Sequence, residues 1–444
     1  MSIPSYPRSK IFSPSSRGDR SSKNLEFNSS FISPFSLCSG VCRQCRTATR
    51  TAGIKTGWAL GGWLYCPTSL ARLRQHSGRP QPVKQSSERT NCQEEGFKVA
   101  GAEILWRRVI CKQPGRYIGW PTIARTTGGE LLVVFSGDRE EHICPWGKTG
   151  LVRSSDEGET WTDPVVIRDT PLDDRDAGII QTQRGTLVVS WFTSVAFENQ
   201  PEFENNESWQ RQAAALTPAD RERWTGRWTH RSEDGGATWE EPVRTQGSAP
   251  HGPIQLRDGR LLYLGTCFVE GERIMGAEES TDDGRSWQLI GSVPVPDYMN
   301  YGMGEPHLAE ADSGRIVGMF RSGATDDVGR YLLQSESDDG GRTWTHVHPT
   351  QILGYPPHLI SLADGTLLVA YGRRVPPFGE WACVSRDEGT SWDAAEEVLL
   401  AGSANDDLGY PASAQLEDGS ILTIYYQVDR AGEPTCLMGT KWHL

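Results

Sequence analysis

One eight-residue pattern recurs five times in this chain. It reads Ser-x-Asp-x-Gly-x-Ser/Thr-Trp and occupies Ser154–Trp161, Ser232–Trp239, Ser280–Trp287, Ser337–Trp344 and Ser385–Trp392. Each part has a mechanical role. Asp and Ser side chains bond the backbone of a tight turn, Gly supplies a φ > 0 position, and Trp pins the next strand into a core. Five matches at eight positions define a repeat protein. The Asp residues 156, 234, 282, 339 and 387 are 78, 48, 57 and 48 positions apart, which suits one four-stranded sheet per repeat.

A second repeat counts the sheets. Gly129, Gly185, Gly259, Gly314, Gly365 and Gly419 each precede a run rich in β-branched, aliphatic and aromatic residues, such as Thr366 to Tyr371. A hairpin turn at the Gly makes each run the second strand of a blade. Six hairpins against five Asp patterns predict six blades, one lacking its pattern. Residues 105–444 number 340, or about 57 per blade. The expected fold is all-β: a six-bladed β-propeller of four-stranded antiparallel blades over 101–444. The segment near Ile104–Cys111 is expected to pair with the C-terminal strands, since an open ring leaves a bare edge.

This organisation resembles the sialidase (neuraminidase) superfamily, whose Asp boxes match the five patterns. The resemblance covers about residues 105–444 and speaks to fold more than to function, because Asp boxes also occur in non-enzymatic propellers.

Charge separates the ends of the chain. Residues 1–104 carry 15 Lys+Arg and 6 Asp+Glu, a balance of +9. The rest carries 45−15 = 30 and 57−6 = 51, a balance of −21. An acidic body argues against nucleic acid as partner. No run approaches the ~18 apolar residues of a membrane span. Residues 1–100, rich in Ser, Arg and Pro, read as an irregular extension or a mis-assigned start, with a transit peptide as the alternative. Cys38, Cys42 and Cys45 have the spacing of an iron–sulfur radical-enzyme site without its barrel, and are read as coincidence. The five propeller cysteines are expected to be free and buried. Neither cofactor nor metal is expected.

Strand direction sorts the candidate site. Residues just before first strands and just after second strands share one face, while the Asp patterns join strands three and four on the other and are structural. Aligned on their Gly, Trp120, Asp176, Glu305, Pro356 and Tyr410 begin inner strands, with His251 in the equivalent place of the third blade. Six segments converging on one cup make a pocket. After the second strands come Arg139 and His142, then Arg321, then Arg373 and Arg374, which suit an anionic substrate. Arg175 lies beside Asp176, and His307 and His358 lie near inner-strand starts. These five arginines, with Trp120, His251, His307 and His358, are the expected substrate-binding set. The three His are read as hydrogen-bonding groups rather than metal ligands.

The resemblance assigns roles. Gly304-Glu305-Pro306 with Phe320-Arg321-Ser322 is similar to the segment carrying the acidic partner and one Arg of the carboxylate-binding triad. Gly409-Tyr410-Pro411 is similar to the segment carrying the tyrosine nucleophile, so Tyr410 is expected to attack and Glu305 to take its proton. The first-blade Arg motif is absent, replaced by Tyr117-Ile118-Gly119-Trp120-Pro121. His142 is the expected acid/base, with Asp176 as its alternative. A long insertion at about 194–226 is expected to roof the pocket, with Trp146, Phe197, Trp209 and Trp381 as stacking platforms or packing anchors. The leading reading is an exo-glycoside hydrolase acting on an acidic sugar. A polysaccharide lyase acting on uronates, or a non-catalytic glycan- or protein-binding propeller, are the alternatives.

Overall fold

The computed structural model describes residues 97–99 and 101–444, apart from 298, 300, 301 and 325–329. The Cys38-Cys42-Cys45 spacing and nearly all of the N-terminal extension lie outside the described residues. Two strands open the described chain, β1 (Phe97–Val99) and β2 (Ala102–Cys111). Blade one is β3 (Tyr117–Arg125), β4 (Leu131–Arg139), β5 (Lys148–Ser154) and β6 (Val165–Arg168). Blade two is β7 (Asp173–Gln181), β8 (Leu187–Ser194), β9 (Gly226–Ser232) and β10 (Val243–Thr245). Blade three is β11 (Ile254–Gln255), β12 (Leu261–Val269), β13 (Glu272–Ser280) and β14 (Gln288–Ser292). Blade four is β15 (Met303–Glu310), β16 (Ile316–Ser322), β17 (Tyr331–Ser337) and β18 (His348–Leu353). Blade five is β19 (Tyr355–Ser361), β20 (Leu367–Arg373), β21 (Gly379–Ser385) and β22 (Val398–Gly402).

Blade six closes the ring. It contains β23 (Gly409–Gln415), β24 (Ile421–Gln427) and β25 (Cys436–His443), and its outer strand is β2, with β1 beyond. Ile104 faces Trp442 across that joint and Arg107 faces Thr440. The expected closure is therefore present, and it accounts for the missing Asp pattern. The pattern always joins a third strand to a fourth; in blade six the fourth strand comes from the other end of the propeller, so no such turn exists.

The five Asp boxes share one hydrogen-bond scheme. In the first, Ser154 Oγ donates to Asp156 Oδ1 (2.8 Å) and accepts from the Gly158 amide (2.9 Å). Asp156 also accepts from the Thr160 amide (2.9 Å) and hydroxyl (2.5 Å). Trp161, Trp239 and Trp392 pack on inter-blade cores, and Trp344 is buried in another. Between blades the alternating faces of the strands interlock as apolar layers, such as Leu131, Val133, Leu422 and Ile424 between blades one and six. The five propeller cysteines are buried and free.

Blade two carries the insertion. Two short 3-10 turns lead into α1 (Glu207–Ala215) and α2 (Pro218–Trp224). Asn206 caps α1 through the amides of Ser208 and Trp209, and Thr217 with Asp220 forms a capping box on α2. Phe197, Trp209 and Leu216 pack with Cys144 of blade one and Leu172, which ties the insertion to the loop after β4. No helix among the described residues is long and apolar enough to cross a membrane.

Candidate active site

The innermost strands share an irregularity at the mouth. In β3, β7, β15, β19 and β23 the register slips so that the inner strand carries one residue more than its partner. This is a β-bulge, which re-aims a side chain. In four blades the bulged residue is left-handed: Trp120 (φ 53°), Asp176 (φ 51°), Glu305 (φ 48°) and Tyr410 (φ 51°). In blade five Pro356, whose ring forbids positive φ, takes the place. Each left-handed non-Gly residue costs roughly 1–2 kcal/mol, so four at equivalent hub positions mark a constrained site.

Glu305 and Tyr410, 105 positions apart, meet there. The Tyr410 hydroxyl donates to Glu305 Oε1 at 2.7 Å, and Arg321 Nη1 donates to both Glu305 oxygens at 3.0 and 2.9 Å. The register builds this group: Gly304 faces Arg321 on β16, and Gly409 faces Tyr426 on β24. Glu305 and Arg321 keep 25% and 34% of their side chains open to solvent, so a substrate can reach them. Burial raises the Glu305 carboxyl, but Arg321, the Tyr410 phenol and Arg374 outweigh it, and the net direction is down. Burial, then the charges of Glu305 and Asp176, hold the Tyr410 phenol well above its ordinary range. The resting pair is therefore a neutral phenol hydrogen-bonded to a carboxylate.

Asp176 faces the same cup. Its amide is fixed by Ser136 Oγ (3.0 Å), yet its Oδ1 makes no hydrogen bond with another described residue. Burial pushes the carboxyl up to about 6, with Arg175 opposing and Glu305 adding to the rise. His142 has its Nδ1 3.0 Å from the Tyr117 hydroxyl and its ring edge-on to Trp120 at 4.7 Å. The residue is exposed, yet desolvation of its ring by the surrounding groups, then the charges of Arg175, Arg374, Arg139 and Arg321, lower its pKa well below the usual histidine range. His142 is therefore neutral. Tyr117 also donates to Asp407 (2.8 Å).

The arginines divide into two groups. Arg321, Arg374 and Arg175 surround the cup. The Arg374 guanidinium lies 5.6 Å from the Tyr410 ring centre and donates to Tyr426 Oη (3.0 Å) and Leu408 O (2.9 Å). That of Arg175 lies 5.1 Å from Trp120, and its Nε has no partner among the described residues. Arg139 and Arg373 depart from expectation. Arg139 is fully buried and spends its donors on Asp173 (2.7 and 3.0 Å) and three carbonyls, leaving none for a substrate. Arg373 turns into blade five, where it pairs with Glu397 (2.8 Å) and covers Trp381.

Other expected contacts also move. Trp120, expected to bind substrate, is 1% exposed and lies beneath Arg139 and Arg175 as the floor of the cup. His251, His307 and His358 converge on the axis and are buried, with ring centres 4.3–5.5 Å apart. His307 Nδ1 accepts the Leu359 amide and His358 Nδ1 accepts the Ser413 amide, so each ring stitches its blade to the next. With Nδ1 accepting, the neutral ring carries its proton on Nε2 and has no lone pair left there for a metal. Burial lowers all three pKa values. Phe197 and Trp209 are packing anchors of the insertion, not sugar platforms. Tyr117, Tyr426 and Asp407 were not anticipated as site residues; Tyr426 ends a second strand, the same positional signal that marked Arg321.

Comparison with known proteins agrees with this architecture. A BNR repeat-like domain matches residues 204–423. A sialidase of Bacteroides fragilis is 22% identical over 359 aligned positions, covering 69% of this chain and 59% of the relative. A xyloglucanase of a Paenibacillus species is 32% identical over 171, covering 33% of this chain and 16% of the relative. The chain thus spans only part of the length of both. Among solved structures, a Dyadobacter fermentans protein of unknown function superposes with TM-score 0.66 at 22% identity, covering 78% of this chain and all (100%) of that one. The Hadza microbial sialidase Hz136 gives 0.54 at 18% identity over 73% and 65% of the two chains. The Penicillium chrysogenum alpha-L-arabinanase gives 0.53 at 15% over 76% and 98%. Five Asp boxes, six four-stranded blades and these matches place the chain in the sialidase/BNR superfamily of six-bladed β-propellers.

Proposed function

We propose that the chain is a glycoside hydrolase of sialidase type, cleaving a terminal acidic sugar from a glycan. The carrying observation is the Tyr410–Glu305–Arg321 group at the hub, with a 2.7 Å bond from phenol to carboxylate. A phenol needs a base to become nucleophilic near neutrality, and Glu305 is already its acceptor. As the Tyr410 oxygen bonds to the anomeric carbon, its proton passes to Glu305. Asp176, rather than His142, gives its proton to the departing glycosidic oxygen, because a carboxyl near 6 is a better acid than a neutral imidazole. Water then attacks the anomeric carbon, its proton going to Asp176, and the tyrosine oxygen leaves and recovers its proton from Glu305. Arg175, Arg321 and Arg374 hold the sugar carboxylate, and a neutral phenol meets that anionic substrate with less repulsion than a carboxylate nucleophile. Relatives and structural neighbours that are sialidases, xyloglucanases or an arabinanase support glycan processing in the coarser sense.

The test is a panel of aryl glycosides, including sialic acid and its deaminated analogue, assayed with wild type and Tyr410→Phe. Release of the aryl group by wild type, and a loss of about 10³-fold or more in the variant with unchanged melting, is expected. Unchanged turnover would remove the nucleophile role. An ultraviolet-absorbing unsaturated uronate would move the protein to the lyases.

A further inference from the structure

A cavity of about 260 Å³ lies between blade one and the insertion of blade two. Its walls include Arg116, Asp138, Trp146, Lys148, Asp169 and, from α1 of the insertion, Gln212. It shares two segments with the cup. Arg116 faces the cavity while its neighbour Tyr117 holds His142; Asp138 faces the cavity while the loop after it delivers His142 to the cup. The insertion fixes that loop, since Trp209 Nε1 donates to Glu140 Oε2 at 3.0 Å.

The charges of the cavity cancel. Arg116 pairs with Asp138 (2.8 Å), and Lys148 with Asp138 (3.0 Å) and Asp169 (3.4 Å). Two cations balanced by two carboxylates offer an anionic ligand little net attraction, unlike the three arginines of the cup. They offer a dense array of donors and acceptors to hydroxyl groups. Gln212 uses its amide nitrogen on Pro171 O (3.1 Å), and Trp146 supplies an apolar wall. Hydroxyl-matching polar groups around one aromatic face are the recognition chemistry of a sugar ring, and the volume, under the ~300 Å³ at which drug-sized pockets begin, suits a small unit.

We propose that this cavity is a subsite for a neutral sugar residue, the part of the glycan on the leaving-group side of the bond cleaved at the hub. The acidic sugar would occupy the cup and the neutral sugar the cavity beneath the insertion. This rests on the hydrolase reading for its place in catalysis, but its binding test does not. Lactose, cellobiose and xylobiose are titrated against wild type, Tyr410→Phe, Gln212→Trp and Asp169→Ala, followed by saturation-transfer NMR. Gln212→Trp fills the cavity; Asp169→Ala, at an exposed position, guards against misfolding of the first. At least one disaccharide is expected to bind wild type and Tyr410→Phe alike. Its affinity is expected to fall about tenfold in both cavity variants, while their melting temperatures stay unchanged. Failure of all three sugars to bind wild type, or binding indifferent to both cavity variants, overturns the subsite. Disaccharide binding together with full turnover by Tyr410→Phe would instead leave the subsite standing and remove the nucleophile.

Discussion

On the face opposite the cup, every Asp box holds two successive left-handed residues, and the second is always Gly: 158, 236, 284, 341 and 389. On the mouth face, four left-handed positions carry Trp, Asp, Glu and Tyr instead. The carboxylates differ in the same sense. Hydrogen bonds from Thr160, first from its side chain, hold Asp156 below the usual carboxylate range, and Asp234 and Asp339 follow suit through Thr238 and Thr343. Asp176, by contrast, is raised and leaves an oxygen unpaired. One face spends its polar groups on its own turns. The other keeps strained, under-satisfied groups in place through the surrounding blades, which is where chemistry is expected.

The strongest way to break this contrast is at Glu305. Glu305→Gln should lower kcat by about 10²–10⁴-fold with little change in melting temperature. A variant that melts early but turns over normally would recast Glu305 as part of the scaffold. Asp176→Asn sharpens the comparison by opposing two readouts. In the proposed mechanism the acid form is the active one, so wild-type kcat should fall as pH rises through about 6, and the variant should lose both that limb and about 10²-fold or more in rate. Folding should move the other way. A carboxyl raised from 3.8 to about 6 loses stability as pH rises between those values, so at pH 7 the Asn protein should melt higher than wild type.

Asp156→Ala, on the opposite face, should cost roughly 1–3 kcal/mol of stability through its lost hydrogen bonds and leave kcat alone, read by denaturant titration beside a standard assay. An effect on stability alone is expected at Glu380, fully buried on β21 with neither oxygen hydrogen-bonded in good geometry among the described residues. Burial pushes it up to about 8, which Arg374 and the Gly409 amide ease only in part. The folded protein then holds a proton that the unfolded chain releases near 4.5, so stability should decline between about 4.5 and about 8. Glu380→Gln should flatten that slope in thermal melts taken across the range. An unchanged slope would place the effect elsewhere.

Much of the candidate site's geometry was legible because strand direction is local information. The rule that inner-strand starts and second-strand ends share a face brought Glu305, Asp176, Tyr410, Arg321 and Arg374 to one cup. It failed where neighbours along one strand had to be told apart. Arg373 and Arg374 are adjacent, so alternation sends them to opposite sides, and only the pairing of Arg373 with Glu397 shows which turns away. Arg139 likewise sits at a second-strand end, but Asp173, 34 positions on, takes it out of the site.

The sequence by itself determined the blade count, the turns and the closure of the ring, because each depends on short-range chemistry: a Ser and an Asp satisfying a turn, a Gly tolerating positive φ, an edge seeking a partner. Tertiary structure alone decided which ionisable groups stay free. Those choices depend on burial and on charges brought within a few ångströms from different blades, and a pKa or an ion pair is a property of that assembled environment, not of any segment that contributes to it.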